Sequence, residues 1–194
     1  GFRMGKNNAK LMLGYSYQYT QYQRLYAENK DFPNDGLGYD NLGSGSFAKD
    51  EGEVCMASYR DDNKLISFFG RLSYDYDGKY LMTASIRREG SSKFGINNKW
   101  GDFPAVSIGW RLSQETFMEG SRSWLNDLKL RADYGVTGNQ DFGNYLSIAT
   151  MQGFGYYNWG GKDFQVWGPA NNVNPDLKWE KAKNWNVGVD FSMF

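Results

Sequence analysis

The sequence contains no histidine and a single cysteine, Cys55. One thiol forms no internal disulfide, and without histidine the commonest zinc ligand, the commonest general base and the Cys/His pair are all missing. Catalysis would be left to carboxylates. Charge of one sign is also lacking: 22 Lys and Arg balance 22 Asp and Glu, so nothing points to nucleic acid as a partner. There is no run of about 18 apolar residues, which excludes a membrane helix. It does not exclude a membrane β-barrel, whose strands alternate and whose mean hydropathy is low. The opening residues GFRMGKNNAK show no charged start followed by an apolar core, so they do not read as a signal peptide.

Glycine and aromatic rings are abundant. The 194 residues include 24 Gly, 14 Tyr, 13 Phe and 7 Trp, on a mean hydropathy of -0.69. Disordered chains are poor in aromatics, so a folded, β-rich chain is expected.

Period-two alternation supplies the strands. In LKLRADYGV, Leu128, Leu130, Ala132, Tyr134 and Val136 share one face while Lys129, Arg131 and Asp133 share the other. The same pattern recurs at 9–19, 65–76, 80–89, 104–113 and 184–194, giving six strands with 126–136. Between the second and third lies only Asp77-Gly78-Lys79, a tight hairpin that sets Tyr76 opposite Tyr80. The stretches 20–63, 91–102 and 137–183 are long and rich in Gly, Asn, Asp and aromatics.

Short and long connections therefore alternate. Loops above about 15 residues are uncommon in compact soluble domains, whereas outer-membrane barrels combine short periplasmic turns with long extracellular loops. On that reading 9–19, 80–89 and 126–136 run outward and the other three run inward. Tyr15, Tyr17 and Tyr19 then mark the outer interface, and Tyr74, Tyr76 and Tyr80 the inner one. The expected fold is all-β, an antiparallel transmembrane β-barrel segment with long extracellular loops, its apolar faces on lipid and its charges in a wet lumen.

GDFPAVSIGWRLSQETFM (101–118), WLNDLKLRADYGVTGNQ (124–140) and NPDLKWEKAKNWNVGVDFSMF (174–194) closely resemble the barrel of SusC/RagA-type TonB-dependent outer-membrane transporters, and SFFGRLSYDYDGKYLMTASIRREGSSKFG (67–95) resembles the preceding hairpin. The resemblance implies that 1–194 is an internal fragment, about six strands of a barrel of about 22. The plug and the remaining strands lie outside it. It further implies import of a bulky nutrient, oligosaccharide or peptide, across the outer membrane of a Gram-negative bacterium, energised by TonB through the plug and capped by a SusD-like surface lipoprotein. No cofactor is implied. A barrel serving as docking platform in a surface or secretion assembly, and a soluble secreted β-rich glycan-binding module, stay open beside it.

Two sets of residues are candidates for function. Phe154, Tyr156, Tyr157, Trp159, Phe164 and Trp167, set among glycines and amides in 153–172, offer flat rings to stack on a glycan or peptide; packing within the loop or against a lid fits them too. Arg71, Arg87, Arg111, Lys129, Arg131 and Asp133 are expected to face the lumen, paired with one another or with the plug. Three lookalikes are set aside: DEGE (50–53) with Asp61 and Asp62 as a calcium cluster, DYDG (75–78) as a calcium loop without its later ligands, and GLGYDNLGSGS (36–46) as a phosphate loop without its lysine.

Overall fold

The computed structural model describes residues 1–36, 40–45 and 55–193. Seven strands form one antiparallel sheet in the order β1-β2-β3-β4-β5-β6-β9: β1 Phe2–Met4, β2 Asn7–Glu28, β3 Cys55–Tyr76, β4 Tyr80–Ser91, β5 Trp100–Arg111, β6 Leu125–Asn139 and β9 Glu180–Met193. A separate two-stranded hairpin pairs β7, Met151–Trp159, with β8, Lys162–Pro169. No described helix is long and apolar enough to cross a membrane.

The chain divides into two units, residues 1–18 with 64–194 and residues 19–63. Within the second, the rings of Tyr22 and Tyr59 lie 6.3 Å apart, and Arg60 donates to Gln21 Oε1 at 3.5 Å. In the first, Tyr76 pairs with Tyr80 across the expected hairpin. Asp77 and Gly78 both take positive φ, 58° and 68°, as the two central residues of a primed turn closed by the Lys79 N–H donating to the Tyr76 carbonyl. Asp75 fastens it by accepting the Gly78 N–H at 2.7 Å.

Strand register carries the alternation across the sheet. Tyr76, Tyr80, Trp110, Leu130 and Val189 form one cross-strand row, followed by Tyr74, Met82, Ile108, Ala132 and Val187. The apolar face is bounded by rings at both ends. At the turn end Tyr80 stacks on Trp110 at 6.3 Å. At the other end Phe68 stacks on Trp100 at 6.2 Å and meets Tyr15 at 5.2 Å. Trp100 and Trp110 lie ten residues apart on one strand, about 34 Å along it, or roughly 26 Å of height at the ~40° tilt of a barrel strand, close to its ~25 Å apolar band.

Several elements exceed their expected bounds. β2 continues to Glu28 and β3 begins at Cys55, so both ends of the stretch read as the loop 20–63 are strand, and Tyr19 is not at a strand end. The connection read as 91–102 shrinks to 92–99. The loop 137–183 contains the whole β7–β8 hairpin. Leu112, expected to continue the apolar face of the strand 104–113 beyond Trp110, instead opens a 3-10 turn, Leu112–Gln114.

A small core sits at the end of the sheet away from the tight turns. Phe94, Phe103 and Trp179 are buried to 7% exposure or less. The Trp179 ring lies 4.7 Å from Phe94 and 5.1 Å from Phe103. Leu65, Phe142, Leu177 and Val136 pack around them; Val136 was expected to follow Tyr134 onto the lipid face. Burial of rings of this size contributes about 1.5 to 3 kcal/mol each.

Candidate functional site

The six charged candidates share one face of the sheet. Arg71 pairs with Ser85, Ser85 with Ala105 and Ala105 with Gly135, which sets Asp133, Arg131 and Lys129 on the same side; Arg87 and Arg111 join them by alternation from Ser85 and Ala105. Their ion pairs do not run to one another. Arg87 meets Glu89 at 2.5 Å, and Glu89, nearly buried, also accepts the Ser67 hydroxyl at 2.8 Å. Arg111 lies 3.3 Å from Asp127, though its Nε points too far aside to make a hydrogen bond. Asp190 draws Arg131 at 3.3 Å and Lys129 at 3.9 Å.

Arg71 is different. No ion-pair partner of Arg71 is found among the described residues, whereas Asp133 accepts from the Asn186 amide at 3.4 Å. Glycine on this face lets long side chains lie flat. Arg131 covers Gly188, where a β-carbon would sit 2.7 Å from its Nε, and Phe69 covers Gly14.

The ring candidates lie on the β7–β8 hairpin, closed by Gly160 and Gly161 at φ 61° and 80°. Register divides them. Tyr157, Trp159 and Phe164 share one face, with Tyr157 and Trp159 6.3 Å apart, while Tyr156 and Trp167 lie on the other beside Asn158, Asp163 and Gln165. Phe154 folds over Gly168. All six rings are exposed, so the hairpin offers two surfaces and no enclosed pocket. Its base is fixed by Asn171, whose Oδ1 accepts from the Thr150 N–H and hydroxyl at 3.2 and 2.7 Å and whose Nδ2 donates to the carbonyls of Tyr145 and Ile148.

A clasp at the turn end left no sequence signal. Glu115 accepts from the Tyr80 hydroxyl at 2.7 Å, from Trp110 Nε1 at 3.1 Å and from Lys79 at 3.3 Å. These hydrogen bonds, the Tyr80 one foremost, hold its carboxyl below the usual glutamate range. Two of its three partners, Tyr80 and Lys79, lie 35 and 36 residues away, beyond any local pattern. The lookalikes gain nothing: DEGE (50–53) lies outside the described residues, DYDG is the hairpin turn, and no group of three acidic or Cys side chains gathers for a metal among the described residues.

The family described as TonB dependent receptor-like, beta-barrel matches residues 2–193. The chain belongs to that family. Among relatives of this TonB-dependent receptor barrel, TonB-dependent receptor P39 of Formosa agariphila is 47% identical over 67% of the chain and 12% of its own length. TonB-dependent receptor SusC of Bacteroides thetaiotaomicron is 38% identical over 70% of the chain and 14% of its own length. Two solved structures superpose at 28% identity: the RagAB peptide transporter, TM-score 0.80 over 97% of this chain and 20% of that one, and the RagAB peptide importer in its closed-closed state, TM-score 0.81 over 100% and 20%. The barrel segment thus spans about a fifth or less of the chains it matches, and on its own its sheet stays open.

Proposed function

We propose that the segment is part of the wall of a SusC-like, TonB-dependent importer in the outer membrane of a Gram-negative bacterium, passing a bulky nutrient, oligosaccharide or peptide. The observation that carries this is the sheet itself: an apolar face bounded by two ring girdles at bilayer spacing, backed by a face of charged and small polar residues. The kinship with SusC and with the RagAB peptide transporter supports it. The protein performs no chemistry on its cargo. Energy comes from TonB acting on a plug, and a SusD-like lipoprotein caps the outer mouth.

In this reading the charged face lines the lumen, and the hairpin rings Tyr156, Tyr157, Trp159, Phe164 and Trp167 meet substrate near the mouth. Removing 153–168 from the full-length transporter tests the hairpin. Substrate binding is expected to fall while the barrel keeps its resistance to unfolding by detergent and heat. Unchanged binding in an intact barrel would take the hairpin out of the site.

A further inference from the structure

The charged face contains a shallow trough of about 310 Å³ that holds one cation and one anion. Arg71 of β3 stands at one end, and Asp133 of β6 lies towards the other, flanked by the Asn184 and Asn186 amides of β9. Between them the floor is Ser85, Ala105, Ser107 and Gly135, side chains too small to reach either end. Three strand spacings separate β3 from β6, about 14 Å.

The ion pairing of the wall singles out this trough. Arg87, Arg111, Lys129 and Arg131 are each matched by an acid of the same wall. Arg71 has no such match among the described residues, and Lys10, which shares its face through the alternation with Gly14 beneath Phe69, has none either. Asp133 keeps most of its acceptor capacity, since its one described bond is the long one from Asn186. A guanidinium without a wall acid recognises a carboxylate through two parallel N–H donors.

We propose that the trough binds a short peptide with free termini, extended across the strands, its carboxylate on the Arg71 guanidinium and its ammonium group at Asp133. An extended chain covers about 3.4 Å per residue, so about four residues bridge the two charges. This rests on the import reading and narrows its cargo, because a neutral oligosaccharide offers Arg71 no counter-charge.

The test uses the full-length transporter in detergent and four probes: tetraalanine with free termini, its C-amidated form, its N-acetylated form, and maltotetraose. Free tetraalanine is expected to bind at least about tenfold more tightly than either capped form, the scale of one charge-assisted contact. Arg71→Gln is expected to erase the preference for a free carboxylate and keep that for a free amine; Asp133→Asn should do the reverse, and Arg71→Lys should restore part of the first. Equal binding of free and capped peptides would overturn the site. So would an equal loss for all four probes in Arg71→Gln, since that marks a contact inside the protein. If maltotetraose binds as tightly as free tetraalanine and Arg71→Gln discriminates between none of the probes, the trough assignment falls and the import reading stands. If no probe binds, the trough assignment falls.

Discussion

The indole Nε1 of Trp179 donates a 3.0 Å hydrogen bond to the carbonyl oxygen of Lys99, across 80 residues of sequence. Around it Gly95 N–H donates to the Leu177 carbonyl at 3.0 Å and Asn98 Nδ2 to that of Asp176 at 3.2 Å. Lys93 Nζ reaches the Phe142 carbonyl at 2.9 Å. The motifs SSKFG and NPDLKWE are therefore two halves of one brace. Trp179→Ala should loosen it by about 3 to 5 kcal/mol, the usual range for emptying a packed aromatic site. Trp179→Phe keeps the ring packing and should cost nearer 1 kcal/mol for the lost hydrogen bond. Amide exchange in 91–99 and 174–180 reads both, and protection in Trp179→Phe equal to that of the parent protein would contradict the role of the indole bond.

Gly95 makes a sharper prediction because its crowding is against backbone. A β-carbon there would lie 1.6 Å from the Pro175 carbonyl oxygen. Gly95→Ala should push the two segments apart and expose 92–99 to limited proteolysis, with strand content by circular dichroism nearly unchanged. Resistance equal to the parent protein would show that the chains tolerate the added carbon.

The facing of the sheet is tested by one charge placed on each side. Leu130→Arg puts a cation in the apolar band and should impair assembly by about 2 to 4 kcal/mol, the midplane cost for an arginine on a barrel's lipid face. Ser107→Arg lies on the other face and should assemble normally. The yield of heat-resistant barrel in outer-membrane fractions separates them, and comparable damage from both would reject the orientation.

Glu115 gives the turn a dependence on acid. Its carboxyl sits below its ordinary value of 4.5, so the folded form holds the proton less tightly than the unfolded form does. The stabilisation is complete above about pH 4.5 and disappears as pH falls through the lowered value. Protection from amide exchange at 112–124, taken relative to the intrinsic exchange rate at each pH from about pH 7 to about pH 3, should fall only below the ordinary glutamate value. Tyr80→Phe removes the leading hydrogen bond, so the acid-induced loss should become smaller and be complete at a higher pH; a loss unchanged by Tyr80→Phe would mean the hydroxyl contributes nothing.

The transmembrane half of this architecture is legible in the chain because one face of each strand must be apolar over a fixed height, and period two records it residue by residue. The rows through Leu130 and Ile108 follow directly from that constraint. Beyond the apolar band the constraint ends, and so did the reading. β2 past Tyr19, TQYQRLYAE, and β3 before Leu65, CMASYRDDNK, carry polar residues on both faces, leaving no alternation to follow. The β7–β8 hairpin did leave a mark, Gly160-Gly161 between ring-rich runs, which is the composition of a two-residue turn. Phe103, Phe94 and Trp179 meet only through tertiary packing, and nothing near Phe103 in sequence distinguishes it from the other residues on the charged face of β5. For the charges, face was readable and partner was not, since Asp190 pairs with Arg131 from a strand about 60 residues away.

Lys79 from the β3–β4 turn, Tyr80 from the start of β4 and Trp110 from the end of β5 converge on the one carboxylate of Glu115. A slip of one residue between β4 and β5 sends every side chain to the opposite face, and Tyr80 and Trp110 could then no longer reach Glu115 together. The clasp is thus satisfied by a single alignment of the two strands. A turn of the chain acts as a check on register, since a misaligned pair of strands forfeits these hydrogen bonds where the two are joined.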